Sequence, residues 1–135
     1  MRLLFIWGPV VLQMALIFLA SSTSDPDPLP GRFLDKVAHL AVYAVLGALL
    51  ARALAGGPVC ALNWRHAAVA VVLSTIYGIS DEWHQSFVSG RTPDAMDVVA
   101  DGFGALAGAF CLLVLGRWLA AARAAGDEHV NVTRH

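Results

Sequence analysis

The sequence predicts an all-α integral membrane bundle of four transmembrane helices, with both termini in the cytoplasm. Three observations lead there. Hydrophobic residues make up 58% of the 135-residue chain and charged residues only 14%, against about 45–50% and about 25% in ordinary soluble domains. The apolar residues gather into four blocks separated by polar or glycine- and proline-bearing breaks. The basic residues divide unevenly between the two sides that four crossings create, which sets the orientation.

The first block runs from Leu3 to Ala20, interrupted only by Gly8-Pro9 and Gln13. About 20 mostly apolar residues cross a hydrocarbon core of about 30 Å as a helix. Met1-Arg2 before this block and Leu19-Ala20-Ser21-Ser22 after it resemble a secretory signal. The block exceeds the about 7–15 apolar residues of such a peptide, so it reads as a retained helix. The second block runs from Val37 to Leu54 and contains His39, Tyr43 and Arg52. The third, from about Trp64 to Ile79, is short and reaches spanning length only if the helix continues through Asp81–Gln85. The fourth runs from Val98 to Leu119, with Asp101 near its start and Arg117 near its end. Lipid offers no partner to backbone polar groups, so blocks of this length must be helices.

The breaks agree. Ser21–Arg32 reads as a polar loop in which Asp25 and Asp27 are solvated, and Gly56-Gly57-Pro58 and Ser89-Gly90-Arg91-Thr92-Pro93 read as turns. Asp94 stands where a carboxylate caps the last helix. Within that helix Gly104-Ala105-Leu106-Ala107-Gly108 is a small-xxx-small run that permits close helix packing. Residues 1–122 form one membrane domain, and 123–135 a polar, flexible tail. Arg2, Arg52, Arg65, Arg117, Arg123 and Arg134 fall on one side of the bundle and Arg32, Lys36 and Arg91 on the other, so the termini lie inside.

Several function classes drop out. A formal net charge of −1 gives no basic surface for nucleic acid. Cys60 and Cys111 build no disulfide framework. There is no G-x-S-x-G elbow and no glycine-rich phosphate loop. Asp81-x-x-His84 has the spacing of a helical metal-ligand pair, but no dedicated metal motif occurs, and neither a metal nor a cofactor is expected.

What remains is a set of polar residues that four crossings place at one end. Asp35, His39 and Tyr43 are spaced by four, and Asp94, Asp97 and Asp101 by three and four, so each set lines one helical face. Asp81, Glu82, His84 and Gln85 end the third helix, and Arg91 follows in the turn. Ionisable groups this deep are costly unless they turn inward and pair, so the cluster reads as a site rather than decoration. Trp83 reads as an interfacial anchor. The candidate ligand-binding or polar-core residues are Asp35, His39, Tyr43, Asp81, Glu82, His84, Gln85, Arg91, Asp97 and Asp101.

Three stretches together resemble the VanZ-like family of small integral membrane proteins. They are Asp35-Lys36-Val37-Ala38-His39 with Tyr43, then the run from Tyr77 through Ser80-Asp81-Glu82-Trp83-His84-Gln85 to Arg91, and Asp94-Ala95-Met96-Asp97 through Asp101-Gly102-Phe103-Gly104-Ala105. Trp83 and Ser89 carry little of the match. The resemblance implies a multi-pass protein of about four helices in the bacterial inner (plasma) membrane, in a family named for a member associated with teicoplanin resistance. It also implies a polar core of Asp35, His39, Glu82, His84, Gln85, Arg91, Asp97 and Asp101. The leading expectation is an envelope protein whose partners are the bilayer and a lipid-linked cell-wall precursor or lipoglycopeptide. The alternative is an intramembrane enzyme on a lipid-linked substrate, with Glu82 and His84 as acid–base pair. A transporter is disfavoured, because the cytoplasmic halves offer little beyond Arg52, Arg65 and Arg117.

Overall fold

Helices account for nearly all of the described chain, and no strand occurs among the described residues. They are α1 (Arg2–Ser21), α2 (Arg32–Leu54), α3 (Trp64–Gln85) and α4 (Ala95–Val132), with one turn of 3-10 helix, Val59–Ala61, between α2 and α3. A computed structural model describes the backbone of residues 1–23 and 32–132 and the side chains of 1–23 and 34–126. Most of the expected loop after the first helix, including Asp25 and Asp27, lies outside the described residues.

α1, α2 and α4 are long and apolar enough to cross a membrane. α3 does continue through Asp81–Gln85, reaching 22 residues, or about 33 Å at about 1.5 Å per residue. Its polar last turns set it apart from the other three. α1 runs unbroken through Gly8-Pro9; such residues are tolerated in membrane helices because neighbouring groups can re-satisfy the backbone.

The C-terminal boundary differs from expectation. α4 does not end near residue 122 but carries on to Val132. Ala120, Ala121, Ala122, Ala124 and Ala125 are strong helix formers, and no glycine or proline interrupts them before Gly126, so polarity alone does not stop the helix.

Turn chemistry follows the breaks read from sequence. Gly56, Gly57 and Gly90 adopt φ of 78°, 108° and 84°, which side-chain-bearing residues avoid. α3 starts at a reciprocal cap. Asn63 Oδ1 accepts from the Arg65 and His66 amides at 3.0 and 3.2 Å, and His66 Nδ1 accepts from the Asn63 amide at 3.4 Å.

α2 and α4 are the closest pair, and glycine is the reason. A Cβ added at Gly104 would strike the carbonyl of Leu40, and one at Gly108 the carbonyl of Ala44. Gly47 in turn lies against the Ala105 backbone. The small-xxx-small run therefore brings the two backbones into contact, where dispersion rather than the hydrophobic effect holds helices together in lipid. Tyr43, Leu46, Leu50, Ala70, Ala109 and Leu113 fill the centre, and α1 adds Ile6, Val10 and Ile17. Two side chains tie α1 on through backbone carbonyls: Tyr77 Oη donates to Met14 O at 2.7 Å, and Gln13 Nε2 to Val42 O at 3.2 Å. The outer faces remain apolar. Leu12, Leu16, Val72, Ile76, Phe103 and Phe110 are all exposed, a surface suited to acyl chains rather than water.

Candidate functional site

The antiparallel bundle brings the end of α1, the start of α2, the end of α3 and the start of α4 to one level. Polar side chains from all four meet there. The α1 contribution has no counterpart in the sequence reading, which takes Ser21 and Ser22 as the start of a loop. Ser21 is instead the last, buried residue of α1, and its Oγ donates to both carboxylate oxygens of Asp81 at 2.6 and 2.7 Å. Gln85 Nε2 donates to Asp81 Oδ2 at 3.1 Å, one helical turn along α3. Asp81 thus accepts from both α1 and α3.

A second group joins α2 to α4. Lys36 Nζ bridges Asp94 Oδ2 and Asp97 Oδ1, each at 2.8 Å. The other oxygen of Asp94 accepts from the Met96 amide at 2.9 Å, so this carboxylate caps α4 as its position suggests and pairs with Lys36 as well. His39 Nδ1 donates to Asp101 Oδ1 at 2.9 Å. Asp101 is fully buried, at 0% exposure. It fits because residue 78 is glycine: a Cβ there would lie 2.6 Å from Asp101 Oδ2. Glu82 links the two groups, its Oε2 accepting from the Asp94 amide at 2.8 Å.

These residues line one cavity of about 920 Å³, within the range of small-molecule sites. Its walls include Asp35, Lys36, His39 and Tyr43 from α2, Asp81 and Gln85 from α3, Arg91 and Asp94 from the turn, and Asp97 from α4. Ile17, Ala20, Ala38 and Val42 supply apolar wall. Four carboxylates, those of Asp35, Asp81, Asp94 and Asp97, face two fixed cations, Lys36 and Arg91. Glu82 and Asp101 add more acid just behind. Three buried polar atoms here, Tyr43 Oη, Glu82 Oε1 and Asp101 Oδ2, have no hydrogen-bond partner among the described residues.

Two expected members sit differently. Arg91 lines the cavity, yet it pairs with no carboxylate among the described contacts. The Gly90 turn carries it over the end of α1, where Nε donates to Thr23 O and an Nη to Ala20 O at 3.3 and 3.2 Å. Carbonyls at a helix C-terminus attract a guanidinium. His84 faces away from the cavity: its Nε2 lies 3.0 Å from Ser22 Oγ and its ring stacks on Phe18 at 4.6 Å. Glu82 and His84 are two residues apart and so leave α3 on different faces. Asp35, His39 and Asp97 present a further grouping that spacing on separate helices could not reveal: one ligand-type atom from each lies within 4.8 Å of the others.

Comparison with known proteins gives the family. The family model VanZ/LLP1 matches residues 5–116. The chain belongs to the VanZ/LLP1 family. The match takes in α1 from residue 5, all of α2 and α3, and the polar end of α4, and stops at residue 116, before the last turns of that helix. No curated protein and no solved structure matches the chain. The family and the long apolar helices together make this a VanZ-like membrane protein.

Proposed function

We propose that this VanZ-like protein acts at the bacterial cell envelope by holding the polar head group of a lipid-linked cell-wall precursor or lipoglycopeptide in the cavity. The observation that carries the reading is the cavity itself, polar and carboxylate-rich at its walls and set at one end of helices whose outer faces suit acyl chains. Carboxylates accept hydrogen bonds, so the head group they suit is rich in hydroxyl or amine donors. Lys36 and Arg91 bring the donors for any acidic group that it carries. An acyl chain leaves the cavity past Ile17, Ala38 and Val42 into the bilayer.

In this reading the protein lies in the inner membrane, both termini are cytoplasmic and the cavity opens outward. In a background with the exposed Cys60 and Cys111 replaced by serine, Ser89→Cys is expected to react with a membrane-impermeant maleimide added to intact cells from outside. Labelling only after the inner face is opened would invert the topology.

Teicoplanin protection follows as the functional test. A sensitive bacterium expressing the wild type is expected to survive more teicoplanin than one expressing Glu82→Gln/His39→Ala at equal membrane levels, with vancomycin run beside it. Equal susceptibility with both proteins inserted would detach the cavity from resistance. An acid–base enzyme built on Glu82 and His84 draws less support, because the two side chains diverge and His84 lies outside the cavity.

A further inference from the structure

We propose that Asp35, His39 and Asp97 bind one divalent cation of the zinc or manganese type at the wall of the cavity. Two carboxylates and an imidazole each offer a ligand atom within 4.8 Å of the others, an O,N,O set that small side-chain adjustments bring onto a single ion. Imidazole suits zinc and its neighbours, carboxylate suits manganese, and the mixed set favours these ions over calcium.

Two independent observations point to a ligand at this place. The first is the support behind His39. Metal-bound histidines commonly donate their other ring N–H to a carboxylate, which fixes the ring and its tautomer. Asp101 supplies that carboxylate at 2.9 Å from Nδ1, leaving the lone pair on Nε2. The second is the unpartnered polar atoms. Tyr43, one turn along α2 from His39 and lining the same cavity, is 1% exposed and its hydroxyl has no partner among the described residues. Glu82, 7% exposed, also carries an unpartnered Oε1. Buried groups of this kind call for an ion or an ordered water to complete them.

Charge balance agrees. The cavity holds more carboxylates than fixed cations, and a divalent ion compensates the excess where solvent is scarce. Lys36 already occupies Asp97 Oδ1, so the ion takes Oδ2. It also makes the cavity hospitable to a phosphate or other anionic group that bare carboxylates would repel. The site goes beyond the head-group reading and does not depend on it, since ion binding is measured without lipid.

The test uses the full chain in detergent, stripped with a chelator and titrated with Zn²⁺ by calorimetry and with Mn²⁺ by electron paramagnetic resonance. One ion per chain is expected. His39→Ala and Asp97→Asn should each weaken binding at least about tenfold, and Asp101→Asn by about 10–100-fold through the supporting shell. His84→Ala, outside the cavity, should bind as the wild type does. Should Asp97→Asn fail to fold, Asp35→Asn replaces it. No saturable binding of either ion, or equal binding in the wild type and His39→Ala, would overturn the proposal.

Discussion

Replacing Gly108 with leucine is expected to cost more stability than any other single change to the bundle. Even a methyl at this position meets the Ala44 carbonyl. The obstacle is backbone on a rigid helix, so no rotamer change relieves it; α2 and α4 must move apart. Overpacking typically costs about 1–3 kcal/mol, and a forced separation of two backbones belongs at or above the upper end. For a chain of this size that corresponds to a fall of about 10 °C in Tm. The loss also reaches the cavity, because the same interface sets the distance from Lys36 and His39 on α2 to Asp97 and Asp101 on α4. Leu106→Ala, on the exposed face between the two glycines, should change Tm by no more than a degree or two. The two variants are compared by thermal unfolding in one detergent. A Gly108→Leu protein that melts with the wild type would mean that α2 and α4 do not make this contact.

The second large effect is functional, and comes from Asp101→Leu. Asp101 is the most deeply buried acid in the cluster, and its two oxygens have different fates. Oδ1 orients His39, and Oδ2 faces Gly78 without a hydrogen-bond partner among the described residues. Leucine has the same branched outline as aspartate, with methyls bulkier than carboxylate oxygens, and it removes a buried charge along with its desolvation cost. Removing one member of a buried pair is costly when the other stays charged and dry, but His39 lines the cavity, where it can shed its proton and hydrogen-bond to water. The variant is therefore expected to insert and to melt within a few degrees of the wild type. His39, however, loses the carboxylate that fixes its ring, and the cavity loses its geometry at that wall. Retention of the head group should fall at least about tenfold, equivalent to about 1.4 kcal/mol. Stability kept and function lost is the pattern of a site; a role as simple glue between helices would give the reverse.

Much of this arrangement was legible in the sequence because the physics involved is local. Hydropathy and block length located α1, α2 and α4. The rule of three and four placed Asp35 with His39 and Tyr43, and Asp94 with Asp97 and Asp101, on shared faces. The extension of α3 through Gln85 followed from the length that a crossing needs. What the sequence concealed depends on neighbours far along the chain. Nothing in Ser21 signals that it caps a carboxylate on α3, since a serine after an apolar block reads equally as loop. Arg91 follows the acidic end of α3 in sequence, but the Gly90 turn aims it at the carbonyls of α1. Glu82 and His84 looked like a pair because they are close in number, whereas the helix sends them to different sides. The grouping of Asp35, His39 and Asp97 needs the glycine-mediated approach of α4 to α2, which spacing within either helix cannot show. The polarity of the last turns of α4 reads as a tail, whereas the alanines there favour helix.

The central claim is that the buried polar end is a site for a lipid head group. The most direct measurement is mass spectrometry of the lipids that co-purify with the protein from bacterial membranes, wild type beside Asp101→Leu at equal yield and equal Tm. The account predicts a sugar- or amine-bearing lipid enriched in the wild type over bulk membrane and depleted in the variant. Identical lipid profiles from the two proteins, both folded, would contradict it.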